Sequence, residues 1–181
     1  AKFVIAGAAL GLALVVALLM SKRGGDEPSV PLRELTRVQL ELREGDVLHV
    51  KGEAAPFNGT LAEYYPDMSK RIALQIRDGK PHGVSRGWYE NGQLEVNEHF
   101  VGGVSHGLRI RWHENGMKKS EATIANGKIE GTFRRWYDNG RKEAEAQMVN
   151  GQPDGVSEAW YRSGKAKSRA VVRAGEVVSR D

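Results

Sequence analysis

The sequence predicts an all-β fold: an elongated single-layer antiparallel sheet of stacked 24-residue β-hairpin repeats, preceded by one N-terminal transmembrane helix. Three observations predict it. Glycines recur at 59, 83, 107, 131 and 155, always 24 residues apart, and again at 79, 103, 127, 151 and 175. An aromatic pair followed by a turn recurs in step, as in the RGWYENGQLEVNEHFVGG of residues 86–103. Residues 3–20, FVIAGAALGLALVVALLM, carry no charge.

The apolar run comes first in the chain. Eighteen residues at about 1.5 Å rise each cross most of a hydrocarbon core of roughly 30 Å. A buried core helix fits poorly, because the run is apolar all round and nothing else would enclose it. A cleaved signal peptide has a shorter apolar region and a small-residue cleavage site, whereas this run ends in Leu-Leu-Met. An uncleaved single-pass anchor fits best. Lys2 precedes the run and Lys22-Arg23 follows it, so flanking charge discriminates orientation weakly. The expected arrangement is an inside N-terminus, with the repeats outside the cytoplasm. Residues 21–33 begin SKRGGDEPSVP, the composition of a flexible tether.

Residues 34–56 are expected to cap the sheet. RVQLELREGDVLHVK alternates on both sides of Glu44-Gly45-Asp46, which reads as a hairpin covering an edge that would otherwise invite aggregation.

Residues 57–181 hold five units, 59–82, 83–106, 107–130, 131–154 and 155–178. The aromatic pairs are Tyr64-Tyr65, Trp88-Tyr89, Trp112-His113, Trp136-Tyr137 and Trp160-Tyr161. The turns are Glu90-Asn91-Gly92, Glu114-Asn115-Gly116 and Asp138-Asn139-Gly140, weakening to Arg162-Ser163-Gly164. Gly92, Gly116, Gly140 and Gly164 are expected to be structural turn residues, and so are Gly59, Gly83, Gly107, Gly131 and Gly155. Asn-Gly suits a two-residue type I′ turn, which needs positive φ at both positions. With that loop Tyr89 faces Leu94, Gly87 faces Val96 and Gly83 faces Phe100. Tyr89, Leu94, Val96 and Phe100 then share the packed face, and glycine opposite Phe100, Ile124 or Met148 leaves room for the larger residue. Trp88 falls on the other face with Arg86, Glu95 and Asn97. A loop one residue longer would exchange the faces. Along the second face the charge alternates over Arg71, Glu95, Lys119, Glu143 and Lys167, which avoids repulsion between stacked units.

The pattern G-x4-W-Y-E-N-G-x10-G-x3-G resembles the bacterial variant of the MORN repeat over about residues 57–178. Pro56-Phe57-Asn58-Gly59 also resembles that family. The resemblance implies a repeat module, and the antitoxin label of toxin–antitoxin systems that such proteins often carry. The first unit departs from the pattern: Pro66-Asp67-Met68 replaces Glu-Asn-Gly, so a different turn is expected there. The last unit is expected to fray at Ser179.

No chemistry is legible. The 181 residues include no cysteine, which removes disulfides, thiolate catalysis, a lipid-modified Cys anchor and a Cys-based zinc site. The net charge of +4 is spread along the chain, unlike the one-sided basic face of a nucleic-acid binder. His82 and His106 share a repeat position, but equivalent strands lie about 9–10 Å apart, too far for one metal. No enzyme and no cofactor are expected.

The candidate partner-binding residues are Trp88, Trp112, Trp136 and Trp160, with Tyr64 at the end of the row. They could form a linear binding face, since Trp, Tyr and Arg dominate binding hot spots. They could equally pack on one another and on Arg and Lys stems to stabilise a one-layer sheet. The functions expected are protein binding, phospholipid-headgroup binding or antitoxin-like neutralisation. Edge-to-edge self-association is a further expected contact.

Overall fold

A computed structural model describes residues 33–180. The expected membrane span over 3–20 lies outside the described residues, among which no helix is long and apolar enough to cross a membrane.

The chain enters through β1 (Arg33–Thr36), one 3-10 turn (Arg37–Gln39), β2 (Leu40–Arg43) and β3 (Val47–Val50). The repeats follow as β4 (Gly59–Tyr64), β5 (Lys70–Arg77), β6 (Lys80–Trp88), β7 (Leu94–Val101), β8 (Val104–Ser105), β9 (Gly107–Trp112) and β10 (Lys118–Ala125). They continue as β11 (Lys128–Trp136), β12 (Lys142–Val149), β13 (Gln152–Trp160), β14 (Ala166–Arg173) and β15 (Glu176–Arg180). Apart from β2 and β3, all belong to one 13-stranded sheet in which β4 to β15 follow chain order. Every pairing among them is antiparallel.

The edge before β4 differs from the expectation. The hairpin around Glu44-Gly45-Asp46 forms, with Arg43 opposite Val47, but it makes a separate two-stranded sheet. The strand that pairs with β4 is β1, and it runs parallel, Arg33 opposite Gly59. The hairpin instead lies over the packed face of the first unit. Leu40, Phe57, Leu61 and Ile76 form a buried cluster joined by Leu35, Leu48, Val50 and Leu74. Backbone bonds seal the junction: Leu48 N–H donates to Gly79 O at 2.8 Å, and Gly79 N–H to Phe57 O at 2.9 Å. A Cβ on Gly79 would sit 2.7 Å from Leu48 O, so only glycine admits this approach.

The turn after the aromatic pair differs from the expected two-residue type I′ loop. At Glu90-Asn91-Gly92 the loop has three residues. Tyr89 N–H donates to Gln93 O, Gly92 N–H donates to Tyr89 O, and only Gly92 has positive φ, at 81°. Asn91 is selected for its side chain: its Oδ1 accepts from Gln93 N–H at 3.0 Å. The type I′ geometry appears at the opposite hairpin end, where Asn126-Gly127 and Asn150-Gly151 have positive φ at both positions. Despite its different sequence, Pro66-Asp67-Met68 makes the same three-residue loop. Tyr65 N–H donates to Ser69 O and Asp67 Oδ1 accepts from Ser69 N–H, with Met68 in the glycine position at φ 68°.

The longer loop shifts the register by one residue, and a β-bulge restores it. Trp88 pairs with Leu94, Gly87 with Val96, and Glu95 is the extra residue between them. Leu94 therefore faces Trp88, not Tyr89, while Gly87–Val96 and Gly83–Phe100 stand as expected. The same bulge falls at Arg71, Lys119, Glu143 and Lys167, which are the alternating-charge positions. Ile76, Ala122, Ile124 and Val172 are buried on the packed face.

The glycine series that opens each unit departs from its expected role. Gly59, Gly83, Gly107, Gly131 and Gly155 are strand residues, not turn residues. Gly59 and Gly107 begin β4 and β9, whereas Gly83, Gly131 and Gly155 lie inside β6, β11 and β13. The tight turn falls four residues earlier, at the glycines of the other series, such as Gly127 and Gly151. Nor do these strand glycines make room for the large residues opposite. Gly107 faces Ile124 and Gly131 faces Met148, yet a Cβ on either glycine would meet no atom within 4 Å. A second bulge accounts for Gly83 and Gly155. Between β12 and β13 the pairing jumps from Ala146–Ser157 to Met148–Pro153, so three residues centred on Gly155 oppose Gln147 alone. Gly155 takes φ 119° there, and a Cβ on it would stand 2.9 Å from the Gln147 Cβ.

Met68 holds a left-handed conformation that costs an L-residue about 1–2 kcal/mol. Met68→Gly is expected to raise stability by about 1 kcal/mol, and Gly92→Met to lower it by a similar amount; thermal unfolding of both variants checks the pair.

Candidate functional site: the aromatic row

The row is set by strand ends. Tyr64, Trp88, Trp112, Trp136 and Trp160 are the last residues of β4, β6, β9, β11 and β13. Each alternates with the packed-face residue before it, so all five stand on the opposite face, half-buried.

Between them runs the row of their cross-strand partners, Lys70, Leu94, Lys118, Lys142 and Ala166. The Lys118 ammonium lies 5.4 Å from the centre of the Trp136 ring, and Lys142 lies 5.0 Å from that of Trp160. Both are cation–π distances. Each lysine is held by the acid three residues on, Lys118 by Glu121 at 2.6 Å and Lys142 by Glu145 at 2.7 Å. Arg134 bridges those acids at 3.6 and 3.3 Å. The network holds the Glu145 carboxyl below the usual carboxylate range, chiefly through Lys142. At the first unit Lys70 lies 6.0 Å from the centre of the Tyr64 ring and bonds Glu34 at 2.9 Å. Glu34 also accepts from the Tyr64 hydroxyl, and these two bonds lower its pKa.

The second aromatic of each pair does different work. Tyr65 Oη donates to Trp88 O at 2.7 Å, Tyr89 Oη to Trp112 O at 2.8 Å, and Tyr137 Oη to Trp160 O at 2.9 Å. His113 replaces tyrosine with its Nε2 2.9 Å from Trp136 O. Each staples a hairpin to the next at the backbone of the tryptophan itself. The turn asparagines run alongside: Asn91, Asn115 and Asn139 Nδ2 donate to Glu114, Asp138 and Arg162 O. Gly92, Gly116, Gly140 and Gly164 are turn residues as expected, and they shape the loops that present these groups. Sequence reasoning places the tryptophans on one face but misses the lysine row and the tyrosine staple. The lysine row is visible as Lys70, Lys118 and Lys142 in 24-residue register.

His82 accepts the Gly102 N–H through Nδ1 at 3.4 Å, and Asn58 and Glu130 do the same for Asp78 and Asn150. The shared histidine position therefore serves the next turn. Among the described residues no group of three or more His, Asp or Glu is arranged to hold a metal ion.

The fold and the row define a class: a β-hairpin repeat protein in which each unit is completed by the next. The MORN repeat variant matches residues 81–101 and 105–126, the hairpins that carry Trp88 and Trp112. No curated protein matches the chain.

Tyr89→Phe is expected to cost about 1 kcal/mol, the worth of one hydrogen bond. Tyr161→Phe should cost nothing measurable, since Tyr161 is exposed and its ring has no following tryptophan carbonyl among the described residues. Urea unfolding of the two variants makes the comparison. Glu145 has a folded pKa below its unfolded value. Its contribution is therefore present above the ordinary carboxylate range and is lost as pH falls through the lowered value. Glu145→Gln should lower stability at neutral pH by under about 1 kcal/mol and flatten that part of the acid limb of a Tm-against-pH curve.

Proposed function

We propose that this chain is a membrane-anchored, non-enzymatic repeat module that presents its aromatic face to a protein partner. One observation carries the reading. A row of five half-buried aromatic side chains crosses the sheet on the face opposite the cap's apolar cluster. Rows of rigid aromatic side chains are the material of binding hot spots, because they offer large contact area at small entropic cost. Anchoring is argued from the uncharged run at 3–20, which is long enough to span a bilayer.

Phospholipid binding is the weaker reading. Lys118, Lys142 and Arg134, the cations beside Trp136 and Trp160, are paired with acids. An anionic surface would have to break those pairs. The antitoxin-like reading rests on the repeat's resemblance alone, and no feature of the row favours it.

The test is affinity capture of the full-length protein from its native membranes beside a Trp112→Ala/Trp136→Ala variant. Circular dichroism first establishes that the variant is folded. A partner retained by the wild type and reduced at least tenfold on the folded variant is the expected outcome. Equal retention by both would assign the row to packing alone.

A further inference from the structure

The ionic ladder that covers the row stops abruptly. In the third and fourth units Lys118, Glu121, Arg134, Glu145 and Lys142 are joined in one network beside Trp136 and Trp160. Leu94 and Asn97 of the second unit and Ile110 of the third depart from that pattern, and they meet in space. Leu94 stands where Lys118 and Lys142 stand, Asn97 where Glu121 and Glu145 stand, and Ile110 where Arg134 stands. Asn97 pairs with Ile110 and with Arg86, and Leu94 pairs with Trp88, so the changes are neighbours. Arg86 keeps its charge but loses its counter-charge. Its cross-strand partners are Ala73 and Asn97, its side chain is exposed, and it forms no ion pair among the described residues.

We propose, building on the protein-binding reading, that this segment is the recognition site, and that its ligand is an extended protein segment with an acidic side chain two residues from a large apolar one. Arg86 and Trp88 alternate on β6, so they share a face at about 6.6 Å, and an extended peptide presents same-side residues at the same interval. Laid along β6, such a peptide sets its carboxylate on the unpaired guanidinium, which offers fork geometry for a bidentate pair. Its apolar side chain reaches Trp88, and Leu94 and Ile110 extend the apolar floor. Trp136 and Trp160 offer no such place, because lysines already lie over both rings. The stacked units thus divide the work: the network around Trp136 and Trp160 braces the sheet, and the segment around Arg86 and Trp88 receives the partner.

The experiment is panning of a random dodecapeptide library on the full-length protein, followed by affinity measurement of the enriched peptides. The wild type is expected to enrich peptides with Asp or Glu two positions from Trp, Phe, Leu or Ile. Arg86→Glu should weaken them about tenfold or more. The triple variant Leu94→Lys/Asn97→Glu/Ile110→Arg copies the ladder of Lys118, Glu121 and Arg134; circular dichroism first establishes that it is folded, and it should abolish binding while matching or exceeding wild-type thermal stability. Enriched peptides that tolerate both variants but are lost on Trp136→Ala or Trp160→Ala would overturn this site and leave the aromatic face standing as a binding surface. Enriched peptides that tolerate every one of these variants would overturn the site and the aromatic-face reading together. Enrichment of no peptide would do the same.

Discussion

Everything in this protein depends on one constraint: a hairpin of this length cannot satisfy its own backbone and must borrow from the next. Both ends of the hairpin are involved wherever another unit follows. At one end the second aromatic reaches the following tryptophan carbonyl, as Tyr89 does to Trp112 O at 2.8 Å. At the other the turn glycine N–H donates back to the preceding unit, as Gly127 does to Ser105 O and Gly151 to Ile129 O. A 24-residue spacing is what keeps both bonds in register at once. Units bound this way contact only their neighbours, which makes the sheet a one-dimensional array.

A one-layer array lacks a central core, and the chain meets that deficit in two ways. At its start the β2–β3 hairpin supplies a second layer over Leu61 and Ile76. Further along, the aromatic row and its lysines thicken the sheet on the other face, with long stems covering rings. The ammonium heads are tied to Glu121 and Glu145, so most of their charge is balanced. Where this bracing is absent, around Trp88 and Leu94, aromatic surface and a free cation become available. In the proposed reading, stability and recognition are separate uses of one repeat position.

Bulge, loop and charge also form one design. A three-residue loop adds a residue to each hairpin, and the bulge at positions 71, 95, 119, 143 and 167 absorbs it. The bulged residue points away from regular pairing, so it is charged in every unit. Glu143 finds Arg135 at 2.8 Å, while Arg71 and Lys167 lie over Tyr65 and Tyr161.

By itself the sequence determined the strand class, the unit length and the shared face of the tryptophans, because periodicity in residue type mirrors periodicity in space. It determined most of the packed face too, since the loop error and the missing bulge cancel beyond Gly87. Tertiary structure decided the rest. Which turn is type I′ was not legible, because Asn-Gly satisfies both geometries and the choice rests on what Asn91 can bond in the next unit. Nor was the strand position of Gly155 and its equivalents, because a glycine that a bulge requires looks the same in sequence as one that a turn requires. The parallel β1–β4 pairing was not legible either, because RELT is a short segment whose partner lies more than twenty residues away. The division of the row into covered and open parts exists only once Leu94 and Asn97 on β7 stand beside Ile110 on β9.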